Sequence, residues 1–205
     1  MLRRARIWMG TSNDHKYMEA REVLAEYGVE LERLDIDRVE IQADDPELIA
    51  EYSLRVLDVD VPILIEDAGL YIDKYYGFPG PYSSYALRTI DNEGILKLLE
   101  GETERGARYL SAVAFRDGDT GDTFTGEVTG RIATEMRGTN GFGYDPIFIP
   151  DEGDGRTFGE MNPAEKAGIS HRARAFRKLG EWLREGQPTR RGAGTGTGLS
   201  RSSSP

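Results

Sequence analysis

The chain has 205 residues, no cysteine and a formal net charge of −10 at pH 7. The lack of Cys excludes disulfides and thiolate metal sites, and the acidic balance argues against a duplex nucleic acid partner, which needs a basic face. No run of 18 apolar residues would cross a membrane, and Met1-Leu-Arg-Arg-Ala-Arg6 has no apolar segment behind its basic start, so neither a spanning helix nor a secretory signal is expected.

A cytoplasmic location is therefore expected. The 26 basic residues comprise five Lys and 21 Arg against 36 acidic ones. That balance matches a high-GC genome or a salt-adapted source such as a halophilic archaeon, in which salt screens the self-repulsion.

Arg6 to Met9 reads as a first strand. It empties into Gly10-Thr-Ser-Asn-Asp-His-Lys16, and Asp14 to Tyr27 reads as a helix stopped by Gly28. A strand, a small polar loop and a helix start form a phosphate site, because the first helical N–H groups are free and carry partial positive charge. Ser12, Asn13 and Lys16 add donors there. The Walker spacing is absent.

Val29 to Ile36 reads as a second strand. Asp45-Pro46-Glu47 opens a helix with a cap, Pro at the first position and an acid in the first turn. Leu48, Ile49, Tyr52 and Val56 form its apolar face, and Glu40 lies in the connection before it. Val61 to Ile65 reads as a buried strand ending at Glu66-Asp67. Two acids beside an apolar strand are costly unless partnered, and strand ends in α/β sheets collect ligands and catalytic groups. Paired carboxylates there suit Mg²⁺.

Tyr71 to Asp73 reads as a further strand, and Gly77 to Tyr82, with two prolines and two glycines, as a shaped loop. A short helix is expected over Asn92 to Leu99. Arg108 to Phe115 and Thr123 to Thr134 are expected strands of a hairpin around Asp117-Gly-Asp-Thr-Gly121. The stretch Arg137 to Phe148 holds Gly138, Gly141 and Gly143, which let backbone approach a ligand closely. In it, Phe142 and Tyr144 offer flat faces for a base, and Asp145 offers an acceptor, biased toward extended backbone by Pro146. Asp151 to Gly155 is a polar turn. Met161 to Lys166 begins a helical piece, and Ser170 is the expected N-cap of a last helix whose buried face is Ala173, Phe176, Leu179 and Leu183. His171 and Arg172 stand at its start; with two His in the chain, zinc is not expected. The expected organisation is one domain over 1–186 and a disordered Gly/Ser/Arg tail over 187–205.

Thr11-Ser-Asn-Asp-His-Lys16, Glu66-Asp-Ala-Gly-Leu70, Phe78-Pro-Gly-Pro-Tyr-Ser83, Gly141 to Phe148, Thr157 to Met161, and Glu165-Lys166 through Ser170-His-Arg172 occur in that order. Together they resemble the inosine triphosphate pyrophosphatase family over residues 6 to 184. The resemblance implies an α/β fold with an elongated, two-lobed mixed sheet flanked by helices and an active cleft between the lobes. It also implies a homodimer that hydrolyses ITP, dITP and XTP to the monophosphate and pyrophosphate with Mg²⁺. By the same resemblance, Asp67 is the general base. Glu40, Glu66 and Asp67 bind metal. Thr11, Ser12, Asn13 and Lys16 hold phosphate. Phe142, Gly143, Tyr144 and Asp145 hold the base, and Lys166, Ser170, His171 and Arg172 complete the substrate contacts.

Two family lysines are replaced here, by Ser84 and by Tyr52. Either Arg88 or Arg55 compensates, or high salt and metal carry more of the charge neutralisation. The alternatives are a Maf-like pyrophosphatase acting on pyrimidine nucleotides and a nucleotide-binding module without turnover.

Overall fold

The computed structural model describes residues 6–36 and 38–185. The expected tail, 187–205, lies outside the described residues. Strand β1 (Arg6–Gly10), helix α1 (Asp14–Ala25), strand β2 (Glu30–Leu34), helix α2 (Pro46–Arg55) and strand β3 (Ile63–Ile72) form a parallel α/β half, in which β1 pairs with both β2 and β3. The remaining chain is largely antiparallel. Strand β4 (Pro79–Gly80) pairs with β3 and leads into helix α3 (Ser83–Leu98). The long hairpin of β5 (Gly106–Asp117) and β6 (Thr120–Ile132) follows, then β7 (Phe148–Pro150), α4 (Pro163–Ile169) and α5 (His171–Arg184). The sheet has seven strands, ordered β2-β1-β3-β5-β6-β7 with β4 beside β3. No helix among the described residues is long and apolar enough to cross a membrane.

Alternation along the strands sends side chains to opposite faces. On one face Ile7, Met9, Leu31, Leu64, Val113 and Phe115 pack against Val23 and Leu24 of α1 and Phe176 and Leu179 of α5. On the other, Ile63, Ile65, Ala112 and Ala114 meet Ala50 and Leu54 of α2. A separate core at the far end of β3 gathers Leu70, Ile72, Tyr109 and Val128 with Ile95 and Leu99 and with Tyr144, Ile147, Phe148 and Phe158. The glycine-rich stretch is thereby fastened to one end of the sheet, and α1 and α5 to the other.

Three expectations about elements need correction. The apolar strand does not stop at Ile65. It runs through Glu66 and Asp67 to Ile72, paired residue for residue with β5 from Arg116 to Ala107. The helix expected over Asn92–Leu99 begins nine residues earlier at Ser83, and a kink at Asp91 (φ 58°) interrupts it. Asp145 is not extended: its carboxylate accepts the Phe142 N–H at 2.7 Å, and Asp145–Ile147 closes a 3-10 turn.

Candidate active site

The end of β1 hands the chain to a loop that caps α1. The Thr11 hydroxyl accepts the Asn13 N–H at 3.1 Å, and the Asn13 side chain caps the helix by accepting the Lys16 N–H at 3.0 Å. Ser12 is exposed beside them. On the same face of the sheet, α5 starts under the hairpin. A Cβ at Gly126 of β6 would lie 2.0 Å from the His171 carbonyl, so only glycine lets the α5 N-terminus come this close. The Ser170 hydroxyl caps α5 by accepting the Ala173 N–H.

Between these two helix starts lies a cavity of about 370 Å³ lined by Thr11, Ser12, Asn13, Lys16, Asp67, Phe142 to Asp145, Lys166, His171 and Arg172, and also by Arg38, Glu40, Ser84 and Arg88. The structure thus brings together nearly every expected site residue. Ser170 lies next to the wall as a buried cap. Two expected residues act otherwise than anticipated. Tyr144 is not a stacking platform: its ring is 3% exposed in the far core and its hydroxyl donates to the Ser83 carbonyl at 2.8 Å. Glu66 does not face the cavity, because the pleat turns it away from Asp67, toward α1 and α5.

Glu66 is instead the centre of a buried ion-pair chain. Its Oε1 accepts Ser111 Oγ at 2.8 Å and Arg172 Nε at 2.9 Å, and Lys16 Nζ stands 2.8 Å from Oε2. Arg172 Nη1 reaches Glu19 at 2.5 Å, Glu19 accepts Lys166 Nζ at 2.6 Å, and Lys166 Nζ reaches Asp145 at 2.7 Å. Positive and negative groups alternate along Lys16, Glu66, Arg172, Glu19, Lys166 and Asp145. Burial raises the Glu66 carboxyl, but the Arg172 and Lys16 charges outweigh it and hold the group well below the usual carboxylate range. Its carboxylate is held by cations: Oε1 by Arg172, and Oε2 by the Lys16 ammonium 2.8 Å away, without a hydrogen bond among the described residues. Glu19 carries the same balance, burial against Arg172 and Lys166, with its pKa net lowered. It was not foreseen, since one Glu in a charged helix looks like a solvated one.

Asp67 differs. Its Oδ2 is sealed from solvent and has no hydrogen-bond partner among the described residues. Burial, opposed by Lys16 and reinforced by Glu66 and Glu40, pushes its carboxyl up to about 6. Arg38, also unforeseen, donates to Glu40 at 2.6 Å and to the Glu66 carbonyl at 3.2 Å. No group of three His, Asp or Glu among the described residues forms a ready metal cluster. Asp67, with its orphaned oxygen, and Glu40 are the donors present.

His171 is buried and its ring lies flat on Tyr109, 4.4 Å between centroids at 3°. Burial and then the Arg172 and Lys166 charges hold its pKa far below the usual range, so it is a neutral imidazole, and its Nδ1 has no partner among the described residues. Arg172 spends Nε and Nη1 on carboxylates, while no bond from Nη2 is formed among the described residues.

The expected substitutes for the replaced lysines separate. Tyr52 and Arg55 line a different groove, between α2 and the tip of the β5–β6 hairpin, with Arg55 over the Tyr52 ring at 5.2 Å. Arg55 is thereby removed as a substitute. Arg88 lines the site, and its Nη1 lies 3.4 Å from Ser84 Oγ.

The Ham1 family sequence model matches residues 7–182. The chain is 50% identical to a dITP/XTP pyrophosphatase of Methanopyrus kandleri over 182 residues, 87% of this chain and 96% of that protein. It is 50% identical to a dITP/XTP pyrophosphatase of Thermococcus kodakarensis over 177 residues, 85% and 95% of the two chains. A solved HAM1 protein from Coxiella burnetii superposes with a TM-score of 0.76 at 28% identity, covering 88% of this chain and 99% of that one.

Proposed function

The chain belongs to the Ham1 family, and on that premise we propose that it hydrolyses dITP, ITP and XTP to the monophosphate and pyrophosphate. The single observation that carries the reading is Asp67. It is a carboxylate with one sealed, partnerless oxygen, in a cavity whose walls also carry Lys16, Arg38, Arg88, Lys166 and Arg172. Such a cavity fits a polyanion and keeps a base beside it.

The α1 N-terminus and Lys16 hold the phosphates. Asp67 orients the attacking water and accepts its proton as the α–β anhydride bond breaks and pyrophosphate leaves. Mg²⁺ is proposed as the cofactor, held by Asp67 and Glu40; when bound it neutralises phosphate charge and polarises the scissile anhydride. Phe142 receives the base. Arg172 donates through its uncommitted Nη2 to the 6-keto oxygen; arginine only donates, so a 6-amino group finds no acceptor there. The Lys16-to-Asp145 ion-pair chain fixes the guanidinium in advance, which limits the ordering cost on binding. A homodimer, a cytoplasmic location and a salt-adapted source complete the proposal; for the last, the motivation is the 36 acidic against 26 basic residues. A Tm that falls as KCl is added would remove it.

The test is pyrophosphate release from dITP, ITP, XTP, GTP, ATP and dTTP with and without Mg²⁺. Release from dITP, ITP and XTP in preference to the rest, and only with Mg²⁺, is expected. Release from dTTP alone would return the Maf-like alternative. ITP binding without any release would make the chain a binding module.

A further inference from the structure

His15 belongs neither to the ion-pair chain nor to the cavity wall, yet its ring stacks on Phe142 with centroids 4.9 Å apart and planes at 12°. Phe142 does line the cavity, and Lys166 Nζ and the Arg172 guanidinium lie 4.8 and 5.3 Å from its ring centre.

What sets the orientation of that ring is not secondary structure. Phe142 lies between β6 and the 3-10 turn at Asp145, with Gly141 at φ +73° and Gly143 at φ +66° on either side. Its backbone is tied at both ends to Asp145, its N–H to the carboxylate and its carbonyl from the Asp145 N–H, but neither bond fixes the side-chain ring. The ring plane is therefore decided by what packs on it. His15 is the second residue of α1, in a turn already fixed by the Asn13 cap and by the Lys16–Glu66 pair. It offers a flat face from a rigid support.

We propose that His15 is a positioning residue: it backs the Phe142 ring from outside the cavity and fixes the plane on which a heteroaromatic base stacks. The stack would also couple the base-holding loop to the phosphate-holding helix start. This rests on the function proposed above. A ring oriented before binding needs less ordering when the base arrives, so the contribution falls on substrate affinity rather than on the bond-breaking step.

The experiment compares His15→Ala and His15→Phe with wild type for ITP turnover and for inhibition by inorganic tripolyphosphate, which carries the phosphates without a base. A stacked aromatic pair is worth enough that His15→Ala should raise KM for ITP about 2- to 10-fold, with kcat within about twofold. His15→Phe should restore KM, and the tripolyphosphate inhibition constant should not move in either variant. An unchanged KM in His15→Ala, no recovery in His15→Phe, or an equal weakening of tripolyphosphate would each overturn the proposal; the last would put His15 on the phosphates. If wild type does not turn over ITP, the hydrolase reading fails instead. The ITP dissociation constant then takes the place of KM: weakening in His15→Ala with recovery in His15→Phe supports the positioning role, and an unchanged constant overturns it.

Discussion

Glu66→Gln separates a scaffold carboxylate from a metal ligand. The wild-type chain of Lys16, Glu66, Arg172, Glu19, Lys166 and Asp145 sets three cations against three anions. Glutamine keeps the volume and can still accept from Ser111, but it leaves three cations against two anions around a side chain with no exposure. Breaking a buried pair by neutralising one partner costs ~3–5 kcal/mol. With the volume and one hydrogen bond retained, the lower end applies, and at 2–4 °C per kcal/mol for a domain of this size Tm should fall by about 6–12 °C. The sign with pH follows from the lowered carboxyl. Its stabilisation is complete above the unfolded value of 4.5 and is lost as pH falls below it, so wild type and variant should converge in acid. The assay is thermal unfolding by circular dichroism from pH 3 to 8, in EDTA and in Mg²⁺. A full loss in EDTA is expected, because the partners are Lys16, Arg172 and Ser111. An unchanged Tm in EDTA with a loss only in Mg²⁺ would refute the reasoning and return Glu66 to the metal.

Asp67→Asn should reduce turnover by at least about 10²-fold while ITP still binds in calorimetry, and at pH 7 the metal-free variant should melt higher than wild type, since it buries no uncompensated charge. In the metal-free wild type the raised Asp67 carboxyl titrates near pH 6, so binding of Mg²⁺ there should release protons; no proton release on Mg²⁺ binding near pH 6 would remove Asp67 from the metal site. Arg172→Ala should shrink the ITP-over-ATP ratio of kcat/KM by ~10–100-fold, the worth of a hydrogen bond to a charged group; an unchanged ratio moves base recognition elsewhere. Arg88→Ala should raise KM for ITP about 2- to 5-fold at low salt, and adding Ser84→Lys to it should recover most of the loss; no recovery would separate Arg88 from the phosphate end.

Local signals carried the parts of this site that are contiguous in the chain. The strand, polar loop and capped start of α1 were legible because Asn13 and Lys16 lie three residues apart, and the same holds for Ser170 at α5. The family motifs placed Asp67, Lys166 and Arg172 in one cavity. What stayed hidden was pairing. Glu66 reads as a carboxylate that must find a metal or water, so the sequence pattern ends a strand there. The strand continues because its cations come from Arg172, 106 residues on, and Lys16, 50 residues back. No window of sequence contains that balance.

The same reasoning explains why Glu66 and Asp67, adjacent and alike, have opposite fates. In a strand, neighbours face opposite sides. Glu66 points to the face where α1 and α5 supply Lys16 and Arg172, and its carboxyl is lowered. Asp67 points the other way, where burial first, and then the Glu66 and Glu40 charges, raise its carboxyl against Lys16 and the Glu40-bound Arg38. A one-residue slip of β3 against β5 would exchange the two. The register from Ile63 with Arg116 to Ile72 with Ala107 is held by the Ile63 and Ile65 core on one face and Leu64 on the other. Apolar packing far from the reaction therefore decides which of two carboxylates is the base and which is the support.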